Sequence, residues 1–217
     1  MISTVLFDVD GTLVDTNYHH AIAWFRAFQR FDITVPLWRI HRAVGMGGDQ
    51  LIAAVSDDSV EERLGDDLRD AWIEEYEPFL AEVRPLEGAH EILQAVRDLD
   101  RTLVLASSGP GDHVEHYLDL IGGRELAQAW TTADDAEETK PAPDLVETAM
   151  AKADDSNAVM IGDSVWDVKA AAKAGIDTYA LRTGGFSEAE LIEAGARKVY
   201  DSLDDMRADL ETILGSA

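Results

Sequence analysis

The spacing of apolar residues changes twice along the chain, and the changes divide it. Residues 2–7, ISTVLF, form a short continuous apolar run, the pattern of a buried strand. From about Asp15 to Leu80 the spacing is helical. AIAWFRAFQRF, LWRIHRAV, DQLIAAV and DLRDAWIEEYEPFLAEV each place apolar positions three and four apart, so each presents one apolar face. No strand pattern interrupts them. Beyond Pro85 strands and helices alternate. A helix over AHEILQAVRDL leads to the strand RTLVLAS at 101–107, then come a helix over GDHVEHYLDLI and an extended AWTTA. A helix from Pro143 through PDLVETAMAKA precedes the strand AVMIGD at 158–163, and WDVKAAAKAG makes a helix ending at Gly175. DTYAL, SEAELIEAG, KVY and SLDDMRADLETIL complete the pattern.

Alternation of this kind predicts an α/β fold: a parallel sheet with helices on both faces. The all-helical stretch falls between the first strand and the rest, as in a helical domain inserted into an α/β core. The expected division is a core of 1–15 and 85–217 with a helical cap of 16–84.

Composition narrows the partners. The chain has 217 residues, 46% of them hydrophobic, enough for a substantial core and a smaller appended domain. Lys and Arg number 18 against 43 Asp and Glu, a net charge of −25. Such a surface repels phosphate backbones and anionic lipid heads, so neither nucleic acid nor membrane is an expected partner. The acid is spread along the chain, as in SDDSVEERLGDDLRD and DSLDDMRADLE, and reads as solvated surface; adaptation to a high-salt host is the sharper reading. No apolar run is long enough to span a bilayer and the first is too short for a signal peptide, which makes cytoplasm the expected location. With no cysteine there is no disulfide framework and no thiolate metal site. A monomer and a homodimer are both compatible with this surface.

In open parallel sheets, ligands bind beyond the carboxyl ends of the strands. Asp8 and Asp10 follow the first strand, Ser107 and Ser108 follow RTLVLA, Lys140 precedes PAPD, and Asp163 follows AVMIG with Asp167 one turn later. If these strands are neighbours, the groups converge on one cleft. Clustered carboxylates raise one another's pKa unless a cation sits among them. An all-oxygen set favours a hard ion, and Mg²⁺ fits when the substrate supplies further oxygens. Lys140 adds a fixed positive charge and Ser107 a hydroxyl donor, which together suit a tetrahedral anion. The expected substrate is a small phosphorylated metabolite. Asp8 would attack phosphorus to give an aspartyl-phosphate, and Asp10 would protonate the leaving oxygen and then activate water.

FDVDGTL, LVLASS, KPAPD and GDSVWD, in this order, resemble the four motifs of the haloacid dehalogenase (HAD) superfamily of phosphatases. The resemblance covers nearly the whole chain and implies a Rossmann-like core with a helical cap inserted after the first motif. It implies Asp8 as nucleophile and Asp10 as general acid/base, with the Asp10 backbone carbonyl on Mg²⁺. Thr12 would shape the first loop, Ser107 bind phosphate, and Ser108 and Gly109 offer backbone N–H groups. Lys140 would balance the phosphoryl and nucleophile charge; Asp163 would be a direct metal ligand, and Asp167 a second acidic position, direct or through water. The dehalogenase branch lacks an aspartate at the Asp10 position. The phosphonatase branch lacks it too and needs a cap lysine, whereas residues 16–84 contain no lysine. DTNYHHAIAW is similar to the β-phosphoglucomutase branch, including His20 and Trp24, but GMGGDQL lacks that branch's arginine. The better match is to phosphoglycolate-phosphatase-like hydrolases. Two alternatives stay open: mutase-type phosphoryl transfer on a sugar phosphate, and a non-catalytic phosphoacceptor of the receiver-domain kind, which is shorter and has no inserted helices.

His20 is either a cap-hinge contact near substrate or a helix-surface residue. The His113 and His116 pair reads as a solvated helix face, and Asp144 as a helix first-turn residue. The GMGG loop at 45–48 is expected to line the cleft, since glycine backbones allow close approach. Trp24, Trp38 and Trp72 read as cap packing, and Trp166 as packing beneath the metal loop.

Overall fold

The first strand lies in the middle of the sheet. The computed structural model describes residues 1–154 and 157–215, and among these β1 (Thr4–Phe7) is followed by α1 (Asn17–Arg30), α2 (Leu37–His41), α3 (Gly48–Val55) and α4 (Asp58–Tyr76). Then come α5 (Ala89–Asp98), β2 (Thr102–Ala106), α6 (Gly111–Ile121), α7 (Gly123–Leu126), β3 (Ala129–Thr131) and α8 (Asp144–Ala153). β4 (Ala158–Gly162), α9 (Val165–Lys173), β5 (Asp177–Leu181), α10 (Glu188–Ala194), β6 (Lys198–Tyr200), α11 (Leu203–Ala208) and α12 (Leu210–Leu214) end the chain. The strands form one parallel sheet in the order β3-β2-β1-β4-β5-β6. This is the expected α/β architecture with an all-helical segment between β1 and β2.

Strand order reverses at β1, which creates a crevice at its carboxyl end. Phe7 lies level with Leu105 of β2 and Ile161 of β4, so the loops after three adjacent strands start at one height. Side chains alternate across the sheet: Val5, Phe7, Leu103, Leu105, Val159 and Ile161 fill one core, while Leu6, Val104, Ala106 and Met160 fill another beneath α8 and α9. The first core runs without a break into the inserted helices through Trp24, Phe28, Leu68 and Tyr76.

Local chemistry sets several boundaries. α4 begins nine residues before the expected DLRDAW segment, because the acidic stretch supplies Asp57 as a cap whose carboxylate accepts from Val60 N–H at 3.1 Å. Pro78 follows its end, where a single 3₁₀ turn spans Glu77–Phe79. The C-terminal helical stretch is two short helices that meet at Asp209. Of AWTTA only Ala129–Thr131 pairs as strand, and a 3₁₀ turn over Ala133–Asp135 follows. The chain enters and leaves the helical segment side by side: Asp15 N–H donates to Arg84 O at 3.0 Å and Leu86 N–H to Leu13 O at 2.9 Å. Among the described residues, no helix is long and apolar enough to cross a membrane.

Candidate active site

Asp8 is the first residue beyond β1, and three neighbours hold it. Its N–H donates to Ile161 O at 2.8 Å, Thr12 Oγ1 donates to its Oδ2 at 3.0 Å, and Lys140 Nζ donates to its Oδ1. The chain then turns sharply at Gly11, where φ is +78°. A Cβ there would sit 2.1 Å from both Asn17 Nδ2 and Asp163 Oδ2. Glycine therefore lets Asn17, at the start of α1, donate to Asp163 Oδ2 at 2.8 Å across the β1–β4 crevice.

Lys140 is 1% exposed and is anchored among oxygens. Besides Asp8 it meets Asp167 Oδ1 at 2.7 Å and donates to Ala106 O at 3.2 Å. Burial alone would favour loss of its proton, but Asp167 and Asp8 outweigh burial and hold the ammonium well above its ordinary pKa. The second oxygen of Asp167 accepts from Ser164 N–H at 3.1 Å and Ser164 Oγ at 2.6 Å, closing a capping box at the start of α9. Asp167 is thus at once a helix cap and a counter-charge.

Carboxylate oxygens of Asp8, Asp163 and Asp167 lie within 4.8 Å of one another, all buried. Burial pushes the Asp8 carboxyl well above its usual range; Lys140 opposes this, and Asp167, Asp163 and Asp10 reinforce it. Burial and then Asp167 push Asp163 up to about 8, against the pull of Asn17 and Lys140. Three carboxylates thus face one ammonium. The donor set, all oxygen and short of positive charge, fits a hard divalent cation such as Mg²⁺. The raised carboxyls stabilise the fold fully below the unfolded pKa, near 4, and that stability is lost as pH rises through the folded value. In EDTA the melting temperature should therefore fall from pH 5 to pH 8 more steeply for the native chain than for Asp163→Asn, and Mg²⁺ should remove the difference. Parallel slopes in EDTA would contradict this origin of the shift.

Asp10 faces the same cavity and is held from two directions. Its Oδ1 accepts from Thr16 Oγ1 at 3.1 Å and pairs with His20 Nε2 at 2.8 Å; its Oδ2 accepts from Ser107 Oγ at 2.8 Å. Burial pushes its carboxyl up, but the bonds from His20, Ser107 and Thr16 prevail and leave it below the usual value. Ser107 Oγ in turn accepts from Gly109 N–H at 3.0 Å. The Ser108 hydroxyl, beside the cavity, is buried without a partner. His20 is accordingly a cleft residue and not a helix-surface one.

The His20 ring stacks on Tyr76 at 4.2 Å, and Tyr76 shares a 2.6 Å hydrogen bond with Tyr117. His113 packs against Tyr76 at 5.0 Å and is buried, which corrects the expectation of a solvated histidine face. The period of α6 puts His113 on the same stripe as Tyr117 and Ile121, a signal present in the sequence. His116 also turns inward, its Nε2 lying 3.1 Å from Leu80 O. Asp144 does sit in the first turn of α8, where it accepts from Glu138 N–H at 3.2 Å.

The inserted helices close the cavity from above. Gly45, Met46, Gly47 and Gly48 line it, as expected of the glycine loop, together with Trp24 and Trp72. Trp38, by contrast, is 70% exposed and packs no core, because it lies on the outer face of the short α2. Trp166 joins the two layers: its Nε1–H donates to Arg42 O at 3.2 Å. Asp49 makes a second tie, accepting from Thr139 N–H at 3.1 Å and from the Thr139 hydroxyl next to Lys140. Thr16, Asn17, Asp49 and Thr139 had no motif to mark them. Their partners are distant in sequence, and only the docking of the helical layer reveals the pairs.

Comparison with known proteins agrees with this geometry. A family model described as haloacid dehalogenase-like hydrolase matches residues 5–181. Phosphoglycolate phosphatase of Vibrio parahaemolyticus is 30% identical, the alignment covering 100% of this chain and 98% of the relative. Validoxylamine A 7'-phosphate phosphatase of Streptomyces hygroscopicus is 28% identical over 87% of this chain and 90% of its own. A crystal structure of a hydrolase from Pseudomonas syringae superposes with a TM-score of 0.91 at 29% identity, covering 98% of this chain and 100% of the other.

Proposed function

This chain belongs to the haloacid dehalogenase-like hydrolases, and on that footing we propose that it hydrolyses small-molecule phosphate monoesters with Mg²⁺ through an aspartyl-phosphate on Asp8. The observation that carries the reading is the pairing of roles around one cavity. Asp8 is fixed by Lys140 and Thr12, and Asp10 is fixed by Thr16, His20 and Ser107. Two carboxylates two residues apart thus have different partners: Lys140 and two further carboxylates around Asp8, and hydroxyl and imidazole groups around Asp10, whose carboxyl must take up a proton before it can give one to a leaving oxygen.

In the first step an Asp8 carboxylate oxygen bonds to phosphorus, the ester P–O bond breaks, and the leaving oxygen takes a proton from Asp10. In the second, water attacks the same phosphorus, gives its proton back to Asp10, and inorganic phosphate departs with Asp8 regenerated. Lys140 offsets the charge gathered around Asp8 in both steps. On this reading the free Ser108 hydroxyl would donate to phosphoryl oxygens, and Ser107 and the Gly109 N–H would turn to them from their bonds to Asp10 and Ser107. Asp8, Asp163, Asp167 and the Asp10 carbonyl would hold Mg²⁺, which when bound neutralises phosphoryl charge. Residues 16–84 serve as a cap over a core of 1–15 and 85–217, hinged where the two connecting segments run side by side, and closure would exclude bulk water.

The test is phosphate release from a panel of phosphomonoesters, with Mg²⁺ and with EDTA, for the native chain and Asp10→Asn. Release should require the metal, and the variant should lose about 10²–10⁴-fold in kcat with a smaller change in KM. Metal-independent release, or near-native kcat in the variant, would contradict the mechanism.

A further inference from the structure

The side of the cavity away from the phosphate-binding loop is a hydrophobic wall. Trp24 and Trp72 stack with centroids 5.2 Å apart and 13° between planes, and Val44, Met46, Leu51 and Ile73 extend the surface. Arg69 is the one arginine or lysine among the described lining residues, and residues 16–84 hold no lysine. Arg69 is already committed: Nη1 donates to Glu61 Oε1 at 2.7 Å and Nη2 to Asp66 Oδ1 at 2.8 Å. The largely buried Glu61 neutralises the guanidinium, and the exposed Asp66 adds a solvent-screened pair. The other oxygen of Glu61 is buried without a partner, so no further donor offsets the negative charge beside Arg69. The pair is also packed in place. A Cβ at Gly65 would fall 2.6 Å from Glu61 Oε1 and 2.8 Å from Arg69 Nη2.

We infer that the site selects phosphomonoesters whose leaving group is uncharged and carries an apolar ring face, and discriminates against those bearing a carboxylate or second phosphate. The inference rests on the hydrolytic reading above and names its substrate class. A ring face gains contact with the indole and aliphatic wall. A second anion there loses its water without gaining a free cation, because Glu61 already neutralises Arg69. The same neutralised arginine argues against a mutase, which must hold a second phosphate.

The test measures kcat/KM for cyclohexylmethyl phosphate and for 2-phosphoglycolate, two alkyl esters that differ in ring and charge, using the full chain with Mg²⁺. The ring ester should be favoured by about tenfold or more. In Glu61→Gln, which loosens the hold on Arg69, the preference should shrink as the carboxylate ester gains. Equal or better hydrolysis of 2-phosphoglycolate by the native chain would overturn the inference while leaving the hydrolase reading intact. An unchanged preference in Glu61→Gln would overturn the part assigned to Arg69. No phosphate from either ester, or from any in the wider panel, would overturn the hydrolase reading and this inference with it.

Discussion

Asp8→Asn is expected to release phosphate from a chromogenic aryl phosphate at least about 10⁴-fold more slowly than the native chain, because no other group in the cavity replaces the nucleophile. The amide is isosteric and its one oxygen can accept from Lys140 while the Thr12 hydroxyl rotates to accept from the NH2 group, so the fold should persist. Its melting temperature in EDTA should stay close to native, since loss of the Lys140 pair is offset by removal of one charge from a buried cluster in which burial and neighbouring carboxylates disfavour the ionised Asp8. Steady-state rates and a thermal melt on the same preparation check both halves. A loss below tenfold in a folded variant would mean that Asp8 is not the group attacking phosphorus.

The second large effect concerns stability. Lys140→Met keeps most of the side-chain volume but leaves Asp8 and Asp167 facing each other in a buried site without their ammonium. Breaking a buried ion pair by removing one partner costs about 3–5 kcal/mol. For a chain of this size that is roughly 6–20 °C in melting temperature. The lysine holds its proton across the whole physiological range, so the loss should be present from pH 6 to pH 8 in EDTA. Adding Asp167→Asn to the variant should recover part of it, since the two residues are in contact and their effects are coupled. A melting temperature within a degree of native would show that the cluster does not depend on Lys140.

These two residues were legible in the sequence for a physical reason. Each lies just beyond a continuous apolar strand or at the mouth of a helix, and a parallel sheet brings such positions to one edge. The order of the strands, with β1 central, is not stated by the alternation, which carries only that the strands are parallel. Other residues were hidden because their roles depend on how the helices dock onto the sheet. Asn17 meets a partner 146 residues away and Asp49 one 90 residues away. Nothing in an amphipathic period states which way a helical layer faces. Trp38 shows the same gap from the other side: its spacing resembles that of Trp24 and Trp72, yet α2 is too short to bury both faces. His113 differs, since the stripe that buries it, shared with Tyr117 and Ile121, is written in α6 itself.

The central claim is a covalent phosphoryl group on Asp8. The direct measurement is to quench the native chain with acid during turnover of an aryl phosphate with Mg²⁺, reduce any acyl-phosphate with borohydride, and map the peptide that contains residues 5–15. Homoserine is expected in place of aspartate at position 8, absent without substrate and absent in Asp8→Asn. Turnover with aspartate intact at position 8, or reduction at another carboxylate, would contradict it.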